Sequence, residues 1–268
     1  MTSSSNPMAP PRPTALITGA SAGIGHDLAH VFAQHQHDLV LTARDRNRLE
    51  ELSSQLHMQN GVTVHVLPAD LADPIAPQRL LDAVRERSIA VDVLVNNAGF
   101  GTHGPFSQSE LAAQLSMIQV NVTALVHLTR VFLPGMLERR AGKILNVGSM
   151  AGFMPGPFMS TYYATKAFVM SHSMALSREL RGSGVSVTVL CPGPTRTEFK
   201  ERAGMRDANL FKMRSMDSMT VARAGFIGLM RGQRIVVPGA SNKLVAFASR
   251  MLPRGTMARI AGKLNKNR

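Results

Sequence analysis

The sequence predicts a single-domain α/β fold in which helices cover both faces of a seven-stranded, doubly wound parallel sheet. Three observations carry this expectation. Short apolar runs recur along the chain and are near-continuous, as in strands buried on both faces. Longer amphipathic stretches alternate with them, the pattern of repeated βα units. No internal repeat and no long linker divides the 268 residues, a length that one large α/β domain fills.

In chain order, the first strand covers residues 15–18, and a glycine-rich turn leads into a helix over 24–34. Strand 38–42 and helix 46–58 follow, then strand 62–67 and helix 77–87. Strand 93–96 precedes one long helix over 109–137, and strand 143–147 precedes helix 161–181. Strand 185–190, helix 220–230 and strand 234–237 complete the set. Residues 1–13 (MTSSSNPMAPPRP) read as a disordered Ser- and Pro-rich tail, without the apolar stretch of a secretory signal. The domain proper spans 14–240, and 241–268 read as a basic helical extension.

Composition narrows the function classes. A hydrophobic content of 44% supplies a sizeable core, and 18% charged residues argue against wholesale disorder. The lone Cys191 excludes an intramolecular disulfide and a multi-cysteine zinc site, and fits a reducing compartment. The uncharged interval 144–165 is broken by Gly148, Gly152, Pro155, Gly156 and Pro157, so it does not read as a membrane span. A soluble, cytoplasmic protein is the expectation. The net charge of +13 is concentrated at one end: no Asp or Glu follows Asp217, whereas ten Lys and Arg do. That end is either a solvated basic surface or a contact for an acidic partner, such as an anionic membrane or a substrate phosphate. The run 245–252 supplies the apolar face of a membrane contact or packs onto the domain. Nucleic acid is not an expected partner, because aromatics are only 5% and no recognition motif accompanies the charge.

The first strand runs directly into Thr18-Gly19-Ala20-Ser21-Ala22-Gly23-Ile24-Gly25. Glycines there let the backbone turn tightly and approach a pyrophosphate, which the free N–H groups and dipole of a helix N-terminus favour. Further along, Tyr162 and Lys166 are four residues apart in a helix and therefore share one face. A nearby ammonium lowers a tyrosine pKa from its ordinary value near ~10, making the phenol a usable acid or base. Tyr163 is rotated by about 100° and cannot share that face, so it reads as packing or surface. The bland reading of a Tyr/Lys pair is a snorkelling lysine on an amphipathic helix. Ser149, at the end of the fifth strand where a parallel sheet presents its ligand loops, favours the chemical reading.

These features together resemble the short-chain dehydrogenase/reductase family. The resemblance rests on the T-G-x-x-x-G-x-G turn, Asp70-Leu71, Asn96-Asn97-Ala98-Gly99, Ser149, Tyr162, Lys166 and Pro192-Gly193, and it spans residues 14 to about 193. It implies a Rossmann-type fold and an NADP(H)-preferring carbonyl or 3-oxoacyl reductase. Tyr162 would be the general acid/base, Lys166 would lower its pKa and hold the nicotinamide ribose, and Ser149 would orient the substrate oxygen. Asn121 would hold a water in a proton relay. Gly19, Ser21, Gly23, Ile24, Gly25, Asp70, Leu71, Asn97, Ala98 and Gly99 would line the cofactor, with Pro192, Gly193 and Thr195 at the nicotinamide carboxamide. No metal is implied. The resemblance also implies a substrate-covering segment over 195–219 and a homodimer or homotetramer through helices 161–181 and 220–230. There Ala164, Ala167, Ala224, Gly225 and Gly228 would permit close helix approach.

An acidic residue at the end of the second strand would accept from both ribose hydroxyls and repel a 2′-phosphate. Ala43 occupies that place, and Arg44 follows, able to pair with a 2′-phosphate. NADP(H) is therefore favoured over NAD(H), with Asp45 the competing residue if the strand ends later.

Other enzyme classes fit poorly. No G-x-S-x-G elbow surrounds Ser149, and His26, His30, His35 and His37 lack an H-E-x-x-H pattern and read as surface residues. A regulator or scaffold that binds cofactor with little turnover is the rival of another class. Nine of the 17 methionines lie between Met150 and Met219, including Met154, Met159, Met213, Met216 and Met219. They suit an adaptable apolar pocket for a hydrophobic ketone or acyl thioester, or fill gaps in the core.

Overall fold

In the computed structural model, which describes residues 12–205 and 215–266, apolar alternation along each strand feeds two separate cores. Strand β1 (Thr14–Thr18) sends Ala15 and Ile17 to one face and Leu16 to the other. The same division recurs in β2 (Asp38–Thr42), where Leu39 and Leu41 oppose Val40. On one face, α1 (Gly23–Gln34), α2 (Arg46–Asn60) and α8 (Ser218–Met230) bury Leu28, Phe32, Leu49, Leu56, Phe226 and Leu229. On the other, α3 (Ala76–Glu86), α5 (Ala124–Glu138) and α6 (Ser160–Glu179) bury Leu80, Val84, Leu128, Phe132, Met136 and Leu176.

The seven-stranded sheet has the order β3-β2-β1-β4-β5-β6-β9, with every pairing parallel. Its other members are β3 (Val64–Val66), β4 (Val93–Asn96), β5 (Gly142–Val147), β6 (Val185–Leu190) and β9 (Ile235–Val236). The order reverses between β1 and β4, which opens a crevice at their carboxyl ends. The seven expected strands are all present, although the third is only three residues long.

Three features depart from the expectation. The long helix over 109–137 is interrupted: α4 (Leu111–Ile118) passes through a π turn (Gln119–Thr123) into α5. A two-residue pair, β7 (Thr195–Arg196) with β8 (Met216–Asp217), and the short α7 (Phe199–Arg202) build the described parts of segment 195–219. Met213 lies outside the described residues, as do residues 1–11 of the expected tail. Finally, Gly225 and Gly228 face the chain's own sheet. A Cβ on Gly225 would stand 2.8 Å from Leu190 Cδ2, and one on Gly228 2.1 Å from Val236 Cγ2. Both glycines let α8 lie against its own sheet.

The combined helix Leu111–Glu138 is long and apolar enough, by length and composition, to cross a membrane, with mean hydropathy 1.4. Its α5 half is seated on the sheet through Leu125, Leu128, Phe132 and Met136. The C-terminal segment forms two helices, α9 (Ala240–Met251) and α10 (Arg254–Asn265).

Candidate active site

The crevice at the carboxyl ends of the strands is a cleft of about 1120 Å³. Each wall follows from a strand end. After β1, Gly19 takes a left-handed φ of 66°, and a Cβ there would stand 2.9 Å from Ala98 Cα. A Cβ on Gly25 would meet Gly19 O at 2.3 Å, so α1 can start this close to the turn only with glycine. The turn is fastened to the loop after β4. Asn97 Nδ2 donates to Thr18 O (2.8 Å), and the Thr18 hydroxyl accepts from the backbone N–H of Asn97 and of Ala98 (2.9 Å each). Asn96 instead points into the core, donating to Asn146 Oδ1 (2.9 Å) and Thr129 Oγ1 (3.1 Å), while Asn146 donates to Ser173 Oγ (2.9 Å). That buried chain ties β4, β5, α5 and α6 together behind the site.

After β2, Arg44 is exposed at the cleft edge. Asp45 caps α2, its carboxylate accepting from Arg48 N at 3.1 Å. The strand ends at Thr42, so Asp45 serves the helix start. Asp70 and Leu71 line the cleft after β3, with Asp70 Oδ1 accepting from Ala72 N at 3.0 Å. After β6, Pro192, Gly193 and Thr195 line it, and the Thr195 hydroxyl donates to Gly193 O at 2.9 Å.

Ser149 and Tyr162 both line the cleft, their side chains near enough for Ser149 to act on the Tyr162 phenol. Ser149 caps a 3-10 turn over Met150–Phe153, accepting from Ala151 N at 3.1 Å. One turn further along α6, buried Lys166 donates to Val147 O at 2.9 Å, and its Nζ lies 5.8 Å from the Tyr162 ring centroid. Burial lowers the Lys166 pKa to about 8. Burial also raises the Tyr162 pKa above its ordinary value, Ser149 acting in the opposite direction. Lys166 is not among the groups that shift Tyr162, so the lowering expected from it is absent and desolvation dominates.

Asn121 sits in the π turn, buried. Its Nδ2 donates to Phe100 O (2.9 Å) and Thr165 Oγ1 (3.1 Å), and its Oδ1 accepts from Phe100 N (3.0 Å). The side-chain amide therefore fixes the loop after β4 beside Lys166.

Several lining residues had no sequence signal. Glu198 pairs with Arg48 (3.0 Å) and Arg202 (2.6 Å), bridging α2 to α7 at the Arg44 end. At the other end, α10 contributes Met257, Ile260, Ala261 and Leu264, opposite Met154, Met159 and Phe199. Met216 and Met219 instead pack on the core. The histidines also differ from expectation: His37 is buried against Phe32 and Phe226, with ring centroids 5.1 Å and 5.9 Å away, because its imidazole fills the end of the core.

A doubly wound sheet with a glycine turn at its switch point and a Ser/Tyr/Lys set beside it defines a dinucleotide-binding α/β enzyme. Residues 13–207 match the family model described as short chain dehydrogenase, and the chain belongs to that family of oxidoreductases. It is 40% identical over 186 residues to sulfoacetaldehyde reductase 2 of Chromohalobacter salexigens, a match covering 69% of this chain and 73% of the relative. It is 37% identical over 179 residues to the NADP-dependent 3-hydroxy acid dehydrogenase YdfG of Escherichia coli, covering 66% of this chain and 71% of the relative. Among solved structures, a short-chain dehydrogenase from Sphingobium yanoikuyae in complex with NADPH has a TM-score of 0.80 at 37% identity, over 91% of this chain and 95% of the other. A bulky-bulky ketone specific alcohol dehydrogenase from Comamonas testosteroni has a TM-score of 0.76 at 33% identity, over 89% and 92%.

Proposed function

We propose that this protein interconverts a bulky apolar ketone, or a 3-oxoacyl compound, and its secondary alcohol with NADP(H). One observation carries the reading: Ser149 and Tyr162 both line one cleft, between a glycine-lined half and an apolar half.

The glycine-lined half fits a dinucleotide. Gly19 and Gly25 let the turn lie tight against the Asn97–Ala98 loop where a Cβ would clash, and no side chain caps the first turn of α1. Gly19, Ser21, Gly23, Ile24 and Gly25 would hold the pyrophosphate, and Asp70, Leu71, Asn97, Ala98 and Gly99 the adenosine side. Arg44 would pair with a 2′-phosphate, since Asp45 is engaged as a helix cap. Lys166 would hold the nicotinamide ribose, and Pro192, Gly193 and Thr195 the carboxamide. When bound, the cofactor supplies or accepts the hydride.

For reduction, the substrate oxygen takes hydrogen bonds from Ser149 and Tyr162, and Tyr162 delivers its proton as the oxygen gains charge. Desolvation suits that role, because it keeps Tyr162 protonated until the oxygen becomes a better base. Asn121, with Lys166 beside it, would support the proton's replacement from solvent.

Two relatives support the cofactor and substrate class: one is an NADP-dependent dehydrogenase, and one is specific for bulky-bulky ketones. Parallel titrations with NADPH and NADH, followed by ketone-dependent NADPH oxidation, test the reading. NADPH preference with turnover supports it; binding without any turnover would instead favour a regulator.

We propose two further contacts at the protein's surface, and a cytoplasmic location for it. Exposed Phe168 and Met174 on α6, beside Leu111 and Leu115 on α4, suit a homodimer or homotetramer contact, measurable by light scattering. On α9, exposed Leu244, Phe247 and Met251 stand beside Lys243 and Arg250, which suits peripheral contact with an anionic membrane. Sedimentation with anionic but not neutral vesicles is the expected result for that contact.

A further inference from the structure

We infer that Asn265 is a positioning residue that latches helix α10 over the substrate half of the cleft, and so sets the preference for bulky apolar carbonyl compounds. The inference deepens the carbonyl-reductase reading and rests on it. Family matching stops at residue 207, whereas α10 begins at Arg254, so the latch belongs to a part of the chain outside that match.

Helix α10 is basic and its outer face is solvated, with Arg254 and Arg259 exposed. Its inner face carries Met257, Ile260, Ala261 and Leu264 to the cleft, the i, i+3, i+4, i+7 spacing of one helical stripe. Those side chains are a wall of the chamber that holds Tyr162. A wall made of one terminal helix needs something to fix its distance from the reacting group.

Asn265, the last residue of α10, is 0% exposed, an unusual place for a polar side chain at a helix end. Every polar group it points inward has a partner, and the partners come from three separate segments. Its Nδ2 donates to Pro157 O at 3.0 Å. Its Oδ1 accepts from the Tyr163 hydroxyl at 3.1 Å. Its backbone oxygen lies 2.6 Å from His103 Nε2, which donates in the tautomer protonated there. The surrounding glycines serve the same docking. A Cβ on Gly156 would strike the Tyr163 ring at 2.4 Å, and one on Gly262 would stand 3.3 Å from Pro157 Cγ. So the loop lies flat on Tyr163, and α10 lies close on the loop.

The register of α10 is thereby referred to Tyr163, the neighbour of the proton donor, with ring centroids 6.2 Å apart. Only an amide satisfies both sides: a carboxylate would lose the donor to Pro157 O, and an apolar residue would lose both bonds. A small carbonyl compound touches Ser149 and Tyr162 without reaching α10. A long apolar one must lie against Met257, Ile260 and Leu264.

The test compares Asn265→Ala and Tyr163→Phe with the native protein, using acetone and 2-decanone as substrates. For Asn265→Ala, kcat/KM for 2-decanone should fall at least ~10-fold, carried by KM, with acetone and NADPH affinity changed by no more than about two-fold. Tyr163→Phe keeps the ring and removes one bond, so it should move the same way by less, and it decides the matter if Asn265→Ala does not fold. Amide hydrogen exchange over α10 should accelerate in Asn265→Ala while β4, β5 and α6 stay protected. Equal losses on both ketones, or no loss with unchanged exchange, overturn the latch. If the native protein reduces neither ketone, the carbonyl-reductase reading fails. The latch is then judged on exchange and on calorimetric binding of 2-decanone, and unchanged values in both variants overturn it.

Discussion

Lys166 reaches beyond Tyr162 to the end of β5, its ammonium 2.9 Å from Val147 O and 5.8 Å from the Tyr162 ring centroid. Among the described residues no carboxylate pairs with it, and burial lowers its pKa to about 8. A charge held at that depth lowers folding stability to serve the site.

Lys166→Met keeps an unbranched stem and removes the charge. The unfolded lysine binds its proton up to its ordinary value of 10.5, the folded one only up to about 8. Between those limits the unfolded state carries the extra proton, so this group's contribution to stability rises with pH across that window. The variant should therefore be more stable than the native protein by about 1–3 kcal/mol at pH 7. The gap should shrink from pH 8 to 10.5, and turnover should be lost. Denaturant melts of both proteins at pH 7 and 10.5 measure it; an equal gap at both pH values would refute the desolvation account.

Arg44 lines the cleft edge just after β2, while the neighbouring Asp45 carboxylate caps α2. Charge-assisted hydrogen bonds contribute about 1.5–3 kcal/mol. Arg44→Ala should weaken NADPH by roughly 10- to 100-fold at that energy and leave NADH within about two-fold. Fluorescence titrations with both cofactors give the ratio, and equal weakening of both would remove Arg44 from the 2′-phosphate.

The strands and the glycine turn were legible because strands covered on both faces must be apolar throughout, and a turn this tight must be glycine. Tyr162, Lys166 and Ser149 were legible as a set through their order along the chain. The π turn at Gln119–Thr123 was not, because no Gly or Pro lies within the turn to mark it. Gly225 and Gly228 looked like contact residues because sequence shows a small side chain but not which surface it approaches. Asn265 gave no signal at all: its partners Tyr163, Pro157 and His103 lie 102, 108 and 162 residues away. Desolvation of Tyr162 was equally invisible, since it depends on which distant segments close over the ring.

Gly25 offers a test of the cofactor half that does not involve the reacting groups. Its added Cβ would stand 2.3 Å from Gly19 O and from Asn97 Nδ2, both parts of the fastened turn. The clash is with backbone, so the turn must move. Gly25→Ala should cost about 1–3 kcal/mol of stability as overpacking and should weaken NADPH and NADH alike. Melting curves and the same titrations separate this from Arg44→Ala: selective loss of NADPH alone would contradict a shared pyrophosphate seat.

Tyr162→Phe removes the proposed proton while leaving the ring against Phe199, with ring centroids 5.2 Å apart. General acid catalysis contributes about 10²–10⁴-fold, so kcat/KM for ketone reduction should fall by that factor. NADPH affinity should hold within about two-fold, because the hydroxyl and not the ring is lost. The hydroxyl is not replaceable by its neighbour, since the Tyr163 hydroxyl is engaged with Asn265 Oδ1 at 3.1 Å. Single-turnover measurement of NADPH oxidation across pH separates chemistry from product release. A variant that retained native rates would mean that Ser149 or solvent delivers the proton and that the desolvated phenol only shapes the cleft.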